Sequence, residues 1–439
     1  MLKTKALLVA LAGILVISAC QSAPLQTQSS STATATLAAS VSPSQGETNA
    51  PTANTGTLVA PTTAFTSSPA ATCQVVQAVP DPHPEVAAAI DSDTASYRSM
   101  GPADAPIVLD VFSDFQCPFC ANFSTVMDEL VQQNPKDIRV VFHYLPLVSI
   151  HDKALLAAQA AEAAGRQGYF WAMHDVLFAN QSQWQSMSSA DFTTWLKDQA
   201  ASLGLNSSRF TADLTSDDVI KAVNDSLSIA QSSTLKIDAT PSVIINRLIR
   251  SPRNDVTTIT NYMNFVKLGS KADKACPAMT VDPNKQYTAT LKTEKGDVVI
   301  GLYADKAPWA VNSFIHLAQS GWYNGSGFFR VISGYIAQAG DPSNTGLGNP
   351  GYQFSNEVTP DLRFDKPGVV GMANAGADTN GSQFFITYAP IPDLDGKYTI
   401  FGEVLSGMDV LQTMRPRDPD NDALLFAPDP ILSITIEEK

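Results

Sequence analysis

The sequence is short of positive charge, of cysteine and of long apolar runs, and each shortage removes a class of function. Lys and Arg number 28 against 42 Asp and Glu, a formal net charge of −14 over 439 residues, so electrostatics give no affinity for a phosphate backbone and no nucleic-acid partner is expected. Five cysteines are too few for a disulfide-dense scaffold, and their positions must carry the information instead. The apolar run Ala6 to Ile17 reaches about 18 Å as a helix, short of the roughly 30 Å hydrocarbon core, and no later stretch is long enough either. A permanent spanning helix is not expected. What is present is 44% hydrophobic residues, enough for two or three cores at about 150 residues each.

The chain opens with a basic start, Met1-Leu-Lys-Thr-Lys5, followed by the apolar run and the small residues Ser18 and Ala19. This is the pattern of an export signal. The ending Ile17-Ser18-Ala19-Cys20 resembles the bacterial lipoprotein signal, which implies removal of residues 1–19 and acylation of Cys20. The alternative is an ordinary secretory signal with Cys20 an incidental thiol. Gln21 to Thr72 is dominated by Ser, Thr, Ala and Pro, with Glu47 its only charge and Phe65 its only aromatic, so it cannot bury a core. Residues 20–72 are therefore expected to be a lipid-anchored disordered linker of about 40 Å root-mean-square span, holding the globular part outside the cytoplasm at a membrane surface.

Two globular segments follow, expected at 73–280 and 284–439. In the first, Pro106 to Phe112 and Ile138 to Tyr144 are short runs rich in Val, Ile and Phe, as in strands of a covered sheet. Cys117-Pro118-Phe119-Cys120 stands between them, ahead of a helical pattern over 121–132. Ala-rich helical stretches follow from Asp152 to about Ser232, and Thr240-Pro241 leads into a third strand pattern, Ser242 to Asn246. The segment resembles the DsbA-like thioredoxin family on Phe112-Ser-Asp-Phe-Gln-Cys-Pro-Phe-Cys120 and Ala239-Thr-Pro241. The resemblance implies an α/β thioredoxin-like fold with a helical insertion, and a cis Pro241 that, with Thr240, contacts a substrate chain beside the dithiol. At a helix N-terminus Cys117 faces the positive end of the dipole, so it is expected to be the attacking thiolate and Cys120 the resolving one. A zinc site would need a second ligand pair, and Cys73 and Cys276 are isolated, so no metal is expected.

Phe119 stands where the strongest oxidant of that family has histidine, which leaves the redox direction open. Val111 occupies the place of a relay acid in several relatives, and Asp110 beside it falls on the opposite strand face. His143, His151 and His174 are expected to pack or to face solvent. Cys73 and Cys276 bracket the segment. In an exported protein they are expected to form a structural disulfide, the alternatives being free thiols or a second redox pair.

The second segment begins with strand-like runs at 287–291 and 297–303, then a helical pattern over 307–320, then many short β-like runs broken by Gly, Pro, Asn and Asp. It resembles cyclophilin on Phe328-Phe-Arg-Val-Ile-Ser-Gly-Tyr-Ile-Ala-Gln-Ala-Gly-Asp341, Gly371-Met-Ala-Asn-Ala375, Asn380-Gly-Ser-Gln-Phe-Phe385 and Leu394-Asp-Gly-Lys-Tyr-Thr-Ile-Phe-Gly402. The resemblance implies a mainly β barrel that isomerises X-Pro bonds. Arg330 is then directed at the prolyl nitrogen, with Gln338 and the backbone of Asn374 holding the peptide. Tyr335, Ile336, Phe385 and Leu394 line the proline pocket, and Gln383 is at its edge. Arg330 and Gln338 are read on one strand-like run. Asp393 replaces a tryptophan common in the family, which should weaken cyclosporin binding, and Tyr398 replaces a histidine. His316, on the helix, has no expected role.

Together these features describe an exported, lipid-anchored folding factor with thiol-disulfide oxidoreductase and peptidyl-prolyl isomerase sites and no cofactor. Its expected partners are unfolded or partly folded exported polypeptides with cysteines and prolines, a redox partner, and the membrane through its anchor. A reductase fused to a domain that only binds proline-containing peptides is the alternative.

Overall fold

The structure, a computed structural model, describes residues 72–439 apart from 94 and 424. The export signal, Cys20 and the linker up to residue 71 lie outside the described residues. Fifteen strands can be labelled in chain order: β1 Cys73–Val75, β2 Ser99–Met100, β3 Ile107–Ser113, β4 Ile138–Tyr144, β5 Ser242–Ile245, β6 Ile249–Arg250, β7 Tyr287–Thr293, β8 Gly296–Leu302, β9 Arg330–Ile332, β10 Ile336–Ala339, β11 Tyr352–Phe354, β12 Val369–Met372, β13 Phe384–Thr387, β14 Ile400–Ser406 and β15 Ile431–Glu438. The helices used below are α1 Pro84–Asp91, α2 Pro118–Gln133, α3 Ala154–Gly165, α4 Val256–Lys271 and α5 Pro308–Gln319.

In the first domain the sheet order is β2-β4-β3-β5-β6, with β3 and β4 parallel and the other pairs antiparallel. Both faces are covered, which is why β3 and β4 read as near-continuous apolar runs. Leu109, Val111, Val140, Val243 and Ile245 face Phe123, Met127 and Leu130 of α2 and Ile259 and Met263 of α4. Phe112 and Ile244 face Ile90 of α1 and Ala230 on the other side. The insertion between β4 and β5 is helical. Its Ala-rich α3 is buried over Ala157, Ala158, Ala160 and Ala161 because small side chains allow close approach on several sides.

In the second domain one antiparallel sheet runs β15-β7-β8-β14-β12-β13-β10-β9 and curls into a half-barrel. Helix α5 packs into its core through Val311, Phe314, Leu317 and Ala318. The single strand-like run expected through Arg330 and Gln338 is instead the hairpin of β9 and β10. Gly334, at φ 72°, makes the reversal, and it places Arg330 directly opposite Gln338.

Strand β1 pairs antiparallel with β11 of the second domain, and Cys73 is bonded to Cys276. Both sulfurs pack against the second domain's core. The first domain is therefore a loop whose two ends are held on its neighbour, a tertiary pairing that local sequence pattern does not encode. The contact is close: Asp273 donates its N–H to Pro350 (2.8 Å), and a Cβ on Gly351, at φ 92°, would lie 2.2 Å from the Asp273 carbonyl oxygen. His316 pairs with Asp273 across the same junction at 2.9 Å. Among the described residues no helix is long and apolar enough to cross a membrane.

Candidate active sites

Cys117 is the N-cap residue of α2, and Pro118 fills the first helical position, where no N–H donor is needed. The Cys117 Sγ lies 3.6 Å from the carbonyl oxygen of Thr240, and the Thr240-Pro241 bond is cis. Cys117 and Cys120 are both free thiols and buried, while Phe119 between them is 70% exposed. Hydrogen bonding from Cys120 first, then from Thr240 and the backbone N–H groups of Cys120 and Phe119, outweighs burial and lowers Cys117 to about 5. Burial, with the hydrogen bond and charge of Cys117, raises Cys120 well above the ordinary thiol range. The two sulfurs are thus unequal, as an attacking and a resolving thiol must be.

Two residues that sequence reasoning passed over shape this site. The buried Asp114 carboxylate accepts from Gln116 N (2.7 Å), Leu147 N (2.9 Å) and His151 Nδ1 (2.7 Å), tying the loop after β4 to the segment before the dithiol. The Asp114 N–H points at Cys120 Sγ, 3.5 Å away. Buried Gln181, in the helical insertion, donates Nε2 to the carbonyls of Phe115 (2.8 Å) and Cys117 (2.9 Å). Asp114 stood inside the quoted motif, but nothing in the sequence marks Gln181, which lies 64 residues from Cys117. Asp110 is on the far face of the sheet, where His143 lies between it (3.3 Å) and Asp93 (2.8 Å). His174 packs among Phe115, Phe142, Trp171 and Phe178.

In the second domain, register brings Phe385, Gln338 and Arg330 into one cross-strand row over β13, β10 and β9. Gln338 donates to Gln383 Oε1 (3.1 Å), whose Nε2 in turn donates to the carbonyls of Gly346 (2.9 Å) and Gly348 (3.0 Å). That loop is gathered around the buried Asp341 carboxylate, which accepts from the N–H groups of Ser343, Thr345, Gly346 and Gly348. Beside the row, Ile336, Phe385 and Leu394 form an apolar cluster with Phe364, Val369 and Ile400, and Tyr335 and Tyr398 pack on it. Phe385 stacks on Phe364 at 5.5 Å and meets Tyr398 edge-on at 5.8 Å. Burial raises Tyr335, and its charged or polar neighbours are Arg330, Tyr398 and Asp393. The Asn374 side chain is engaged with Asn380 (3.2 Å) and Gly376 N (3.3 Å), which shapes the loop carrying its backbone. Phe364 was not anticipated, because it lies outside every quoted motif.

A sheet face with an arginine, a glutamine pair and an apolar pocket, joined to a domain with a dithiol at a helix N-terminus, defines the class of protein, and comparison with known proteins gives its family. Residues 288–436 match the cyclophilin type peptidyl-prolyl cis-trans isomerase model and residues 93–264 match a thioredoxin model. Peptidyl-prolyl cis-trans isomerase A of Mycobacterium tuberculosis is 47% identical over 145 residues, 30% of this chain and 80% of that protein. A peptidyl-prolyl cis-trans isomerase of Helicobacter pylori is 45% identical over 136 residues, 30% of this chain and 83% of that protein. A crystal structure of a Cryptosporidium parvum cyclophilin type isomerase, 35% identical, covers 35% of this chain and 98% of its own, with a TM-score of 0.33. The chain belongs to the cyclophilin type peptidyl-prolyl cis-trans isomerase family through its second domain, and carries a thioredoxin-like domain ahead of it.

Proposed function

We propose that the chain is an extracytoplasmic folding factor that isomerises X-Pro bonds at Arg330 and exchanges disulfides through Cys117 and Cys120. The observation that carries the first activity is the row of Phe385, Gln338 and Arg330 beside an apolar pocket. Isomerisation faces a barrier of about 18–20 kcal/mol because the prolyl nitrogen shares its lone pair with the carbonyl. A guanidinium hydrogen-bonding that nitrogen favours the twisted, pyramidal state over the planar ones, which is selective stabilisation of the transition state. The pocket holds the proline ring and Gln338 the adjoining peptide. An isomerisation assay on the parent chain and on Arg330→Ala tests this: the parent should accelerate cis/trans exchange and the variant should lose most of it. A chain that only binds proline peptides would show no acceleration before the change.

The second activity rests on the unequal thiols. The Cys117 thiolate attacks one sulfur of a substrate disulfide, forming a mixed disulfide while the departing thiolate takes a proton. Cys120 then loses its proton and attacks Cys117, releasing the second substrate thiol. In the reverse sense two electrons pass from a substrate dithiol to the Cys117-Cys120 disulfide. A Cys117 thiolate stable down to about pH 5 favours the reduced enzyme, and so favours donation of disulfides to substrates. Equilibration against glutathione should give a potential closer to about −120 mV than to about −270 mV. A value near the latter would make the domain a reductase. The export pattern before Cys20 and the Cys73-Cys276 bond support action on exported polypeptides, and acylation of Cys20 would hold the chain at a membrane. Mass spectrometry of the mature N-terminus tests that anchor.

A further inference from the structure

The two sites are not independent beads. Starting at the dithiol, Thr240 borders Cys117, and the next carbonyl, that of Pro241, accepts from Asn254 Nδ2 at 2.7 Å. The neighbouring Arg253 crosses to the second domain and donates its guanidinium to the carbonyls of Pro419 (3.1 Å) and Asp422. The loop it grips is itself folded, Asp418 N donating to Asp422 Oδ2 at 2.7 Å. Three residues before Asp420, Arg417 exchanges both backbone hydrogen bonds with Val331, at 2.8 and 2.9 Å, extending the sheet beyond its edge strand β9. The Arg417 guanidinium donates to the carbonyls of Phe329 and Phe426. Arg330 is the residue between Phe329 and Val331. A short, continuous series of contacts therefore runs from the thiol that attacks to the arginine that isomerises.

Large apolar side chains stand exposed at the two ends of the series, Phe119 at 70% and Phe426 at 59%. Such exposed rings fit an extended polypeptide whose apolar side chains cover them.

We propose that both sites act on one substrate chain at once: a polypeptide held at Cys117 runs past Pro241 and Asn254, over the 417–422 loop, and presents an X-Pro bond to Arg330. The inference rests on the activities proposed above and adds their substrate class, exported chains in which a cysteine and an X-Pro bond lie a limited distance apart. Followed through extended side chains and backbone steps of about 3.8 Å, the path has a contour of about 55 Å, which bounds the separation. An extended segment of at most about 16 residues covers it. Once the cysteine is captured, the proline is delivered at an effective concentration of order 1 mM rather than that of free substrate.

The test uses the chain with Cys120→Ser, so that the mixed disulfide persists. Peptides with one cysteine, activated as an aromatic disulfide, and one isotopically labelled X-Pro bond are prepared with spacers of 3, 8, 12, 16 and 40 residues. The Cys117 thiolate displaces the aromatic thiolate, one S–S bond breaking as another forms, and cis/trans exchange is followed by NMR. At about 20 μM protein, some spacer between 8 and 16 should exchange at least about tenfold faster than the same peptide with serine for cysteine, untethered at equal concentration. The gain should be smaller at 3 and at 40 and should vanish with Arg330→Ala. If untethered isomerisation and thiol exchange are both normal but no spacer gives a gain, this inference is overturned and the two activities stand. If the untethered peptide is not isomerised, or no mixed disulfide forms, the underlying reading fails and this inference with it.

Discussion

Gly371 on β12 offers a sharp probe of the isomerase site, because it stands opposite Phe385 in the same cross-strand row and carries no side chain against the pocket's rings. A Cβ there would stand 2.8 Å from Phe385 Cζ and 2.9 Å from Phe364 Cζ, against about 3.5 Å for a comfortable carbon-carbon contact. The two rings are stacked and 3% and 0% exposed, so neither can swing into solvent, and each must yield by about 0.6–0.7 Å. Overpacking of this kind costs about 1–3 kcal/mol. For a domain of this size, Gly371→Ala should therefore lower its melting temperature by roughly 3–10 °C. In the function proposed above Phe385 lines the proline pocket, so its displacement should also cost about 10- to 100-fold in kcat/KM, with Arg330 and Gln338 untouched. Calorimetry reads the first effect and a protease-coupled isomerisation assay the second. A variant that melts with the parent and keeps kcat/KM within twofold would refute the idea that Phe364 and Phe385 form a rigid floor.

Three further outcomes follow from named groups. Alkylation of Cys117 should rise with pH to a midpoint near 5 and then level off, and Cys120→Ala should move that midpoint upward, since Cys120 supplies the leading stabilisation; an unmoved midpoint would contradict that assignment. Glu357 accepts from Trp309 N (3.0 Å) and Ala310 N (2.9 Å) at the start of α5, yet burial raises it to about 7. A carboxyl raised above its unfolded value of 4.5 stabilises fully only below that value, so stability should fall as pH climbs from 4.5 to about 7. Glu357→Gln should flatten this slope in urea titrations, and an equal slope in both proteins would exclude Glu357 as its source. Replacing Cys73 and Cys276 by serine should cost up to about 5 kcal/mol when the whole chain unfolds, given the 203-residue separation. Before that, hydrogen exchange should quicken across the β1 and β11 pair, and protection equal to the parent's would show that the bond does not hold that junction.

How much of this was legible in the sequence follows from the range of the interactions involved. The strands at 107–113 and 138–144 and the helix from Pro118 announce themselves through runs, spacing and a helix-starting proline, all local signals. The dithiol and the arginine, glutamine and phenylalanine of the second site stand in motifs short enough to quote. Other features are invisible on the same grounds. Gln181 reaches the dithiol loop from 64 residues away, Phe364 meets Phe385 only once the sheet has curled, and Asp341 orders the Gly346 to Gly348 loop through hydrogen bonds that no periodicity encodes.

The sequence by itself determined the kinds of chemistry available and the order of the domains, because motif and composition are properties of neighbouring residues. Only the fold shows that β1 belongs with the second domain's β11, that Cys73 and Cys276 close the first domain against its neighbour, and that Asn254 and Arg253 join the Pro241 loop to the 417–422 loop, whose Arg417 pairs with Val331 of β9. Those are pairings between groups tens to hundreds of residues apart. They exist because closing the chain brings complementary donors, acceptors and apolar faces together, and no stretch read alone contains both partners.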